Sequence, residues 1–245
     1  MELSKSIRLL TALSINLLIL AGVAPPAHAA IISTEQEIQI GRNAAREIAA
    51  EYGVLRNPQL TQRVVTVGLQ VAKVSERRDL PWTFEILNVR EVNAISLPGG
   101  FIYVTRGMMN FLKSDDELAF VLAHEVGHVD RRHHVSLIER NFFFTLVIVL
   151  IFGRDPTAAQ IADFARFLIT RGFGREFEFE ADEVGVRLTH RAGFDAGAGL
   201  GFMERLRAAE GRDPSQFEVL FRTHPALADR IVRVRDQLRY FPLSP

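Results

Sequence analysis

The pentapeptide His124-Glu125-Val126-Gly127-His128 constrains this chain more than any other feature of its sequence. Two histidines four residues apart project from the same face of an α-helix, so their imidazoles can bind one metal ion together. Glu125 follows the first histidine and can reach a water molecule held by such an ion. The pentapeptide therefore predicts two metal ligands and a general base, and it requires a helix around them.

The flanking residues predict that helix. Ser114-Asp115-Asp116-Glu117 has the capping-box pattern that starts a helix, ten residues before His124. Apolar residues then recur at helical spacing: Leu118, Val121, Leu122, Val126 and Val129. No proline or turn cluster interrupts the chain up to about Ile138, so we expect one continuous helix with a buried face. The alternative, two histidines in an ordinary polar helix, does not explain that face.

The first residues have the pattern of a targeting segment. Lys5 and Arg8 form a charged start, Leu9–Val23 an apolar core, and Ala27-His28-Ala29 a small-x-small cleavage site. Residues 1–29 are predicted to be a signal peptide that exports the chain from a bacterial cytoplasm and is cleaved after its last alanine. We therefore expect a periplasmic protein. An uncleaved signal anchor, and hence membrane association, is the alternative.

Composition excludes several kinds of site. The sequence has no cysteine, which rules out disulfides, thiolate metal sites and an acylated cysteine. Its 29 basic residues balance 29 acidic ones, so there is no electrostatic reason to expect a nucleic-acid partner. Residues 30–245 are long enough for one domain with a hydrophobic core, and no repeat or linker divides them.

Helical patterns dominate this region. Thr34-Glu35-Gln36-Glu37 is a second capping box, and the helix that it opens should run to about Tyr52, before Gly53. Further helices are predicted from Asn57-Pro58, from Asp155-Pro156, over Arg175–Ala192, over Phe194–Ala209 and over Pro225–Tyr240.

Alternating apolar residues predict three short strands. They are Trp82–Ile86, Val92–Leu97 and Phe101–Thr105, the last two joined by the turn Pro98-Gly99-Gly100. The expected fold class is therefore α+β, mainly helical, with one small antiparallel sheet.

A catalytic zinc needs a third protein ligand, and two residues compete for that place. His134 lies ten residues after His124, the spacing of the extended motif H-E-x-x-H-x-x-G-x-x-H. That motif needs a glycine at its eighth position, where the chain leaves the helix. Here Arg131 occupies the position, and on a continuing helix His134 points away from His124.

Glu178 is the better candidate for the third ligand. Glu178 and Asp182 lie four residues apart on a predicted helix and therefore share a face. One can bind the metal while the other accepts a hydrogen bond from a ligand histidine. The alternative is a solvated acidic surface, but Phe177 and Phe179 alternate with the acids and disfavour it.

The two motifs together resemble a known family. H-E-V-G-H at 124–128, followed by E-F-E-A-D at 178–182, is similar to the gluzincin metallopeptidases related to the CAAX prenyl protease and the Oma-type proteases. Asn93–Gly107 resembles the Asn-Ala-…-Pro-Gly-Gly segment of that family. Thr223-His224-Pro225, with Arg230, resembles its His-Pro…Arg signature.

The resemblance runs from about Thr34 to Arg239. It is closest to small periplasmic members concerned with outer-membrane protein quality control. Some of those members carry a lipid-bearing cysteine and a C-terminal helical-repeat domain, and neither pattern occurs in these 245 residues.

The resemblance implies a zincin-type metalloprotease domain with one zinc ion per chain. The implied zinc ligands are His124, His128 and Glu178, with Asp182 orienting a ligand histidine from behind. Glu125 would then take the proton of the attacking water and deliver it to the leaving amine.

The remaining histidines have less definite roles. The resemblance implies that His224 lies near the zinc and either stabilises the oxyanion or regulates access; the alternative is a residue that caps the next helix. His133, His134 and His190 have no usable partner spacing, and we interpret them as surface or packing residues.

Two segments have alternative interpretations. The strand with Asn93, Ala94 and Ile95 either binds an extended peptide substrate by main-chain pairing or only completes the sheet. Phe142–Phe152 is a strongly apolar segment of eleven residues, too few for a bilayer span of about 20. It is expected to be a core helix, a lid over the cleft or a contact with the membrane surface.

The expected function is an endopeptidase that removes misfolded or stalled envelope proteins, with unfolded or misassembled proteins as substrates. A further expected partner is the membrane surface or the outer-membrane assembly machinery. The alternative from another class is a zinc-binding, chaperone-like adaptor for outer-membrane assembly that rarely cuts. Hydrolysis of a non-peptide amide is a third option. Glu125 argues against a purely structural site, since a metal-binding scaffold does not need that carboxylate.

Overall fold

The computed structural model describes residues 32–140, 163, 166, 167, 170–211 and 213–241. The chain divides into two compact units, Met1–Ser33 and Thr34–Pro245, and the elements described below belong to the second. The predicted signal peptide, the apolar segment Phe142–Phe152 and the helix start at Asp155-Pro156 lie outside the described residues.

The described part of the second unit contains nine helices and three strands. The helices are α1 Thr34–Tyr52, α2 Pro58–Ala72, α3 Arg106–Phe111, α4 Asp115–Asp130, α5 His133–Arg140, α6 Arg175–Arg191, α7 Gly197–Ala209, α8 Pro214–Thr223 and α9 Leu227–Leu238. The strands are β1 Thr83–Leu87, β2 Ala94–Leu97 and β3 Phe101–Thr105. The mainly helical α+β fold that the sequence predicts is confirmed.

The sheet has the order β1-β3-β2 and is mixed rather than antiparallel. β2 pairs antiparallel with β3, with Ala94 opposite Val104. β3 then lies beside β1 and runs parallel to it, with Thr83 opposite Phe101. The expectation of an antiparallel sheet holds for the β2–β3 hairpin alone, because β1 pairs with β3 and not with its neighbour in sequence. Among the described strands, β2 is therefore an edge strand.

Local sequence signals explain where several helices begin. The Asn57 side chain accepts a hydrogen bond from the backbone N–H of Leu60 at the start of α2. Ser114 does the same for Glu117 at the start of α4. Neither α3 nor α8 is predicted, although Pro214 in the first turn of α8 is a recognisable start signal.

The predicted continuous helix from Ser114 to Ile138 is interrupted. α4 ends at Asp130, Arg132 has a left-handed backbone (φ 53°), and α5 starts at His133. The sequence has no glycine or proline here, so contacts from elsewhere in the fold impose the break. The Asp130 carboxylate accepts hydrogen bonds from the backbone N–H groups of Glu76 and Arg77, which fixes the end of α4.

A buried carboxylate ties this helix end to the sheet. Glu37 of α1 is 1% exposed and pairs with both terminal nitrogens of Arg77 at 2.8 Å. It also accepts hydrogen bonds from Arg132 Nε at 3.1 Å and from the backbone N–H of Gly99 at 3.2 Å. Arg77 in turn donates to the carbonyl of Val129 near the end of α4. Glu37 thus connects the β2–β3 turn to the C-terminal end of the central helix.

No helix among the described residues is both long and apolar enough to cross a membrane.

Replacing Glu37 with alanine is expected to lower the free energy of unfolding by about 3 kcal/mol, because Arg77 and the Gly99 N–H lose their buried partner. Urea denaturation followed by circular dichroism measures this change. Glu47→Ala, on the same helix but partly exposed, is the control. A loss no larger than that of the control would show that the buried carboxylate does not stabilise the fold.

Candidate metal centre

The central helix α4 carries the H-E-x-x-H pentapeptide in the interior of the domain. Every residue from Glu117 to Asp130 is buried, which explains why this helix is apolar on more than one side. α4 packs against α2, α6, α7 and β2. The two histidines are therefore held in a desolvated environment rather than on an open surface.

Two glycines allow α4 and α6 to approach closely. A Cβ atom on Gly127 would lie 3.0 Å from the carbonyl oxygen of Ala181 and 3.2 Å from Cβ of Val184. A Cβ atom on Gly185 would lie 3.3 Å from the backbone nitrogen of His124. The absence of these side chains lets the middle of α6 lie against the pentapeptide.

Three side chains converge as a result. His124 Nε2 and His128 Nε2 are 3.0 Å apart. Glu178 places Oε2 3.5 Å from the first nitrogen and Oε1 3.3 Å from the second. Tetrahedral coordination at zinc bond lengths separates ligand atoms by about 3.3 Å. The three side chains thus already have the spacing of ligands around one ion.

The polar atoms of this cluster fit a bound cation. Glu178 Oε1 is buried and has no hydrogen-bond partner among the described residues. The facing imidazole nitrogens, with a carboxylate oxygen, form the donor set that suits a divalent metal such as zinc. His124, His128, Glu178 and His224 form a group whose ligand atoms all lie within 4.8 Å of one another.

Asp182 and Arg230 lie behind the cluster. Asp182 Oδ1 is 2.9 Å from His124 Nδ1, the ring nitrogen that faces away from His128. Arg230 of α9 donates to both oxygens of Asp182 at 2.7 Å and pairs with Glu178 Oε2 at 2.6 Å. One buried guanidinium therefore neutralises part of the charge of two buried carboxylates.

Electrostatics keep both carboxylates ionised. Burial raises the pKa of Glu178, but His224 and Arg230 outweigh it and hold that pKa well below its usual value. Burial likewise raises the pKa of Asp182, and Arg230 lowers it to below normal. Burial and Arg230 lower the pKa of His124, yet Asp182 and Glu178 raise it to about 9. A metal ion binding at neutral pH must therefore displace a proton from His124.

His224 lies at the cluster and not at a helix start. It ends α8, where its backbone N–H donates to Leu220, and its ring is buried with Nδ1 3.2 Å from Glu178 Oε2. Its Nε2 is 3.8 Å from Glu125 Oε1. The N-cap of α9 is instead Ala226, with φ 63°, and the described residues supply no side-chain cap there. The helix-cap alternative is thus not observed.

Glu125 faces the edge strand. It is 2% exposed, and its Oε2 accepts a hydrogen bond from Ser96 Oγ at 2.6 Å. The predicted substrate residues Asn93, Ala94 and Ile95 line the cleft that Glu125 and His224 also line. The structure therefore brings the predicted strand, the predicted base and His224 to one cleft. Ala94 and Glu125 also line a second pocket that includes the predicted ligand His124.

The structure places His133 and His134 inside the protein. His134 Nε2 donates to the carbonyl of Ser96 at 2.7 Å, and burial lowers its pKa to about 3. The ring is outside the metal cluster even though the helix does break before it. His133 is buried with its Nδ1 2.9 Å from His128 Nδ1. Both rings are buried rather than at the surface, whereas His190 is half-buried beside Phe241.

Sequence reasoning missed three side chains at this site. The sequence identifies Arg230 only as part of a signature, assigns no role to Ser96, and suggests for His133 only a surface or packing role. The contacts of Ser96 and His133 join separate elements, and no local pattern reports them. Arg230 had a usable signal, since two neighbouring buried carboxylates require a cation.

A buried metal-ligand cluster on two helices, with a carboxylate base and an edge strand beside it, defines a metallopeptidase centre. The chain belongs to peptidase family M48, whose model matches residues 58–238.

Several characterised proteins are similar to it. The mitochondrial metalloendopeptidase OMA1 of Schizosaccharomyces pombe is 31% identical over 211 residues, covering 84% of this chain and 62% of the relative. The β-barrel assembly-enhancing protease of Escherichia coli is 28% identical over 217 residues, covering 84% and 44%. OMA1 of Danio rerio is 30% identical over 198 residues, covering 75% and 41%. The chain thus spans about two fifths to three fifths of the length of these relatives.

Replacing Asp182 with asparagine is expected to weaken metal binding by roughly 10- to 100-fold, because His124 loses the anionic partner that orients its ring. Competition with a chromophoric chelator measures the metal dissociation constant. Asp229→Asn changes an exposed carboxylate on α9 and should leave it unchanged. Equal affinities for both variants would exclude a role for Asp182 in metal binding.

Proposed function

We propose that this chain is a zinc-dependent endopeptidase whose zinc ligands are His124, His128 and Glu178. One observation carries the proposal: the Nε2 atoms of His124 and His128 are 3.0 Å apart, and each has a carboxylate oxygen of Glu178 within 3.5 Å. Glu125 follows His124 in the same buried helix. Membership of a peptidase family supports the same reaction class.

When bound, a zinc ion supplies Lewis-acid polarisation of the scissile carbonyl and lowers the pKa of water toward ~7. Glu125 accepts a proton from the attacking water as the new C–O bond forms. The same carboxylate then donates that proton to the leaving nitrogen as the C–N bond breaks. Ser96 Oγ orients Glu125 by the hydrogen bond to Oε2, which leaves Oε1 for the water.

His224 lines the cleft beside Glu125 and the edge strand. Its Nε2, 3.8 Å from Glu125 Oε1, is near the place where a substrate carbonyl would enter. In that position it stabilises the developing oxyanion or, as a further member of the ligand group, regulates access to the site.

The edge strand β2 supports binding of an extended peptide. The Asn93 carbonyl accepts from the Thr105 N–H in β3, so by the alternation of an antiparallel pair Ala94 and Ser96 direct their backbone groups to the outer edge. The Ser96 carbonyl already accepts a hydrogen bond from His134, so Ala94 has the backbone groups that remain available to pair with a substrate. Asn93 Oδ1 is buried without a hydrogen-bond partner in the described part of the chain and can accept one from a substrate. Recognition through main-chain groups predicts little sequence preference.

We further propose that the protein acts on misfolded or misassembled envelope proteins in the periplasm. The signal-peptide pattern of residues 1–29 supports export, and the relatives named β-barrel assembly-enhancing protease support a role near outer-membrane assembly. N-terminal sequencing of the protein from a periplasmic fraction should give a start at Ala30. A start at Met1 would contradict cleavage.

Replacing Glu125 with glutamine should leave zinc binding intact and lower the rate of casein cleavage by at least about 100-fold, because the amide cannot accept a proton. The measurements are zinc content by atomic absorption and release of labelled peptides from casein. Glu204→Gln, an exposed carboxylate on α7, is the matched control.

The outcomes separate the two classes of function. Cleavage by the wild type and not by the Glu125 variant supports the peptidase. A zinc-loaded wild type that binds unfolded casein without cutting it would instead indicate a chaperone-like adaptor. Full activity in the Glu125 variant would refute its assignment as the base.

A further inference from the structure

We propose that His133 is a positioning residue for the metal ligand His128, and that Glu180 holds His133 in the tautomer that this role needs. The proposal rests on the proposed metal site, and it assigns a function to two residues outside the ligand set. It is carried by a line of contacts that runs from the cluster toward the surface.

The contacts form one continuous path. His128 Nδ1 lies 2.9 Å from His133 Nδ1. His133 Nε2 lies 3.3 Å from Glu180 Oε2. Glu180 Oε1 is 3.2 Å from Arg131 Nε. His128 and His133 are at most 1% exposed, whereas the Glu180 side chain is 48% exposed, so the path ends in a solvated ion pair.

The ligand geometry fixes the direction of these hydrogen bonds. His128 Nε2 faces His124 and Glu178, so it is the nitrogen that a metal would take. A neutral imidazole bound through Nε2 carries its hydrogen on Nδ1 and must donate it. His133 Nδ1 is then the acceptor, which leaves the hydrogen of His133 on Nε2, where Glu180 accepts it. Only this pair of tautomers satisfies all three groups.

Aromatic stacking holds both rings in the required planes. The Phe173 ring lies 3.8 Å from the His128 ring at an angle of 16°. The Phe177 ring lies 4.2 Å from the His133 ring at 13°. Phe177, Glu178 and Glu180 all lie in the first turns of α6. This one helix therefore supplies a metal ligand and also supports the residue behind a second ligand.

The two ligand histidines are consequently supported in different ways. His124 donates directly to Asp182, a buried carboxylate that Arg230 holds on both oxygens. His128 donates to a neutral ring, and the carboxylate is one residue further away. The break in the helix at Arg132 makes this possible, since it turns His133 back toward His128.

The test compares variants of His133 by their metal affinity. His133→Phe keeps the ring stacked on Phe177 but removes the acceptor for His128. His133→Asn keeps an acceptor oxygen close to the position of Nδ1. Glu180→Ala removes the acceptor for His133 Nε2, and because Glu180 is exposed the substitution should leave the fold intact. Glu183→Ala and His190→Phe are control substitutions on α6, the helix of Glu180. Glu183 pairs with Arg187 and not with His133.

Two readouts do not depend on catalysis. Competition with a chelator gives the zinc dissociation constant, and the visible absorption of the cobalt(II)-substituted protein reports the ligand field. We expect His133→Phe to weaken zinc binding by roughly 10- to 100-fold and to change the cobalt spectrum. His133→Asn should restore most of the affinity, Glu180→Ala should give a smaller loss, and both controls should match the wild type.

Each contrary result has a distinct meaning. If the wild type binds zinc and cleaves casein while His133→Phe and Glu180→Ala match it in affinity and spectrum, the positioning role is wrong and the peptidase assignment stands. If His133→Asn is as weak as His133→Phe, an acceptor oxygen near the position of Nδ1 does not restore zinc affinity, and the proposed hydrogen-bond role of His133 is overturned. If the wild type binds no zinc, both the proposed metal site and the positioning role are wrong.

Discussion

The rest of the site depends on the burial of the Glu178 carboxylate. It is fully buried, and an isolated charge in that environment would cost several kcal/mol. Arg230 pairs with Oε2 at 2.6 Å, while Oε1 forms no hydrogen bond among the described residues and lies 3.3 Å from His128 Nε2. Arg230 alone does not balance the charges of Glu178 and Asp182, so the remaining charge must be balanced by a proton on His124 or, once that proton is displaced, by a bound cation. That requirement explains why α4, α6 and α9 meet at this point, and why glycines stand at the α4–α6 contact.

Backbone strain is concentrated around the same centre. Arg132 and Ala226 are the non-glycine residues with a left-handed backbone in the described part of the chain, and each costs about 1 kcal/mol or more. Arg132 redirects the chain after α4 so that His133 and His134 reach His128 and Ser96. Ala226 redirects it between His224 and α9, which carries Arg230. Ion pairs offset the strain: Arg132 with Glu37, and Arg230 with Asp182.

Much of this arrangement could be predicted from the sequence, because it rests on regular spacing. The pentapeptide, Glu178 and Asp182 each follow from which residues share a helix face. The break at Arg132 could not, since no glycine or proline marks it and distant residues impose it. The parallel pairing of β1 with β3 could not be predicted for a related reason: local alternation identifies strands but not their partners. Ser96 acts through a contact with Glu125 that joins elements distant in sequence, and His133 reaches His128 because of the same break at Arg132.

The central claim is that His124, His128 and Glu178 hold one metal ion next to Glu125. Anomalous diffraction at the zinc absorption edge, from crystals of the zinc-loaded protein, tests it most directly. We predict a single anomalous peak about 2.0–2.2 Å from Nε2 of each histidine and from a Glu178 carboxylate oxygen. A peak bound by other residues, or the absence of any peak in protein that contains stoichiometric zinc, would contradict the account.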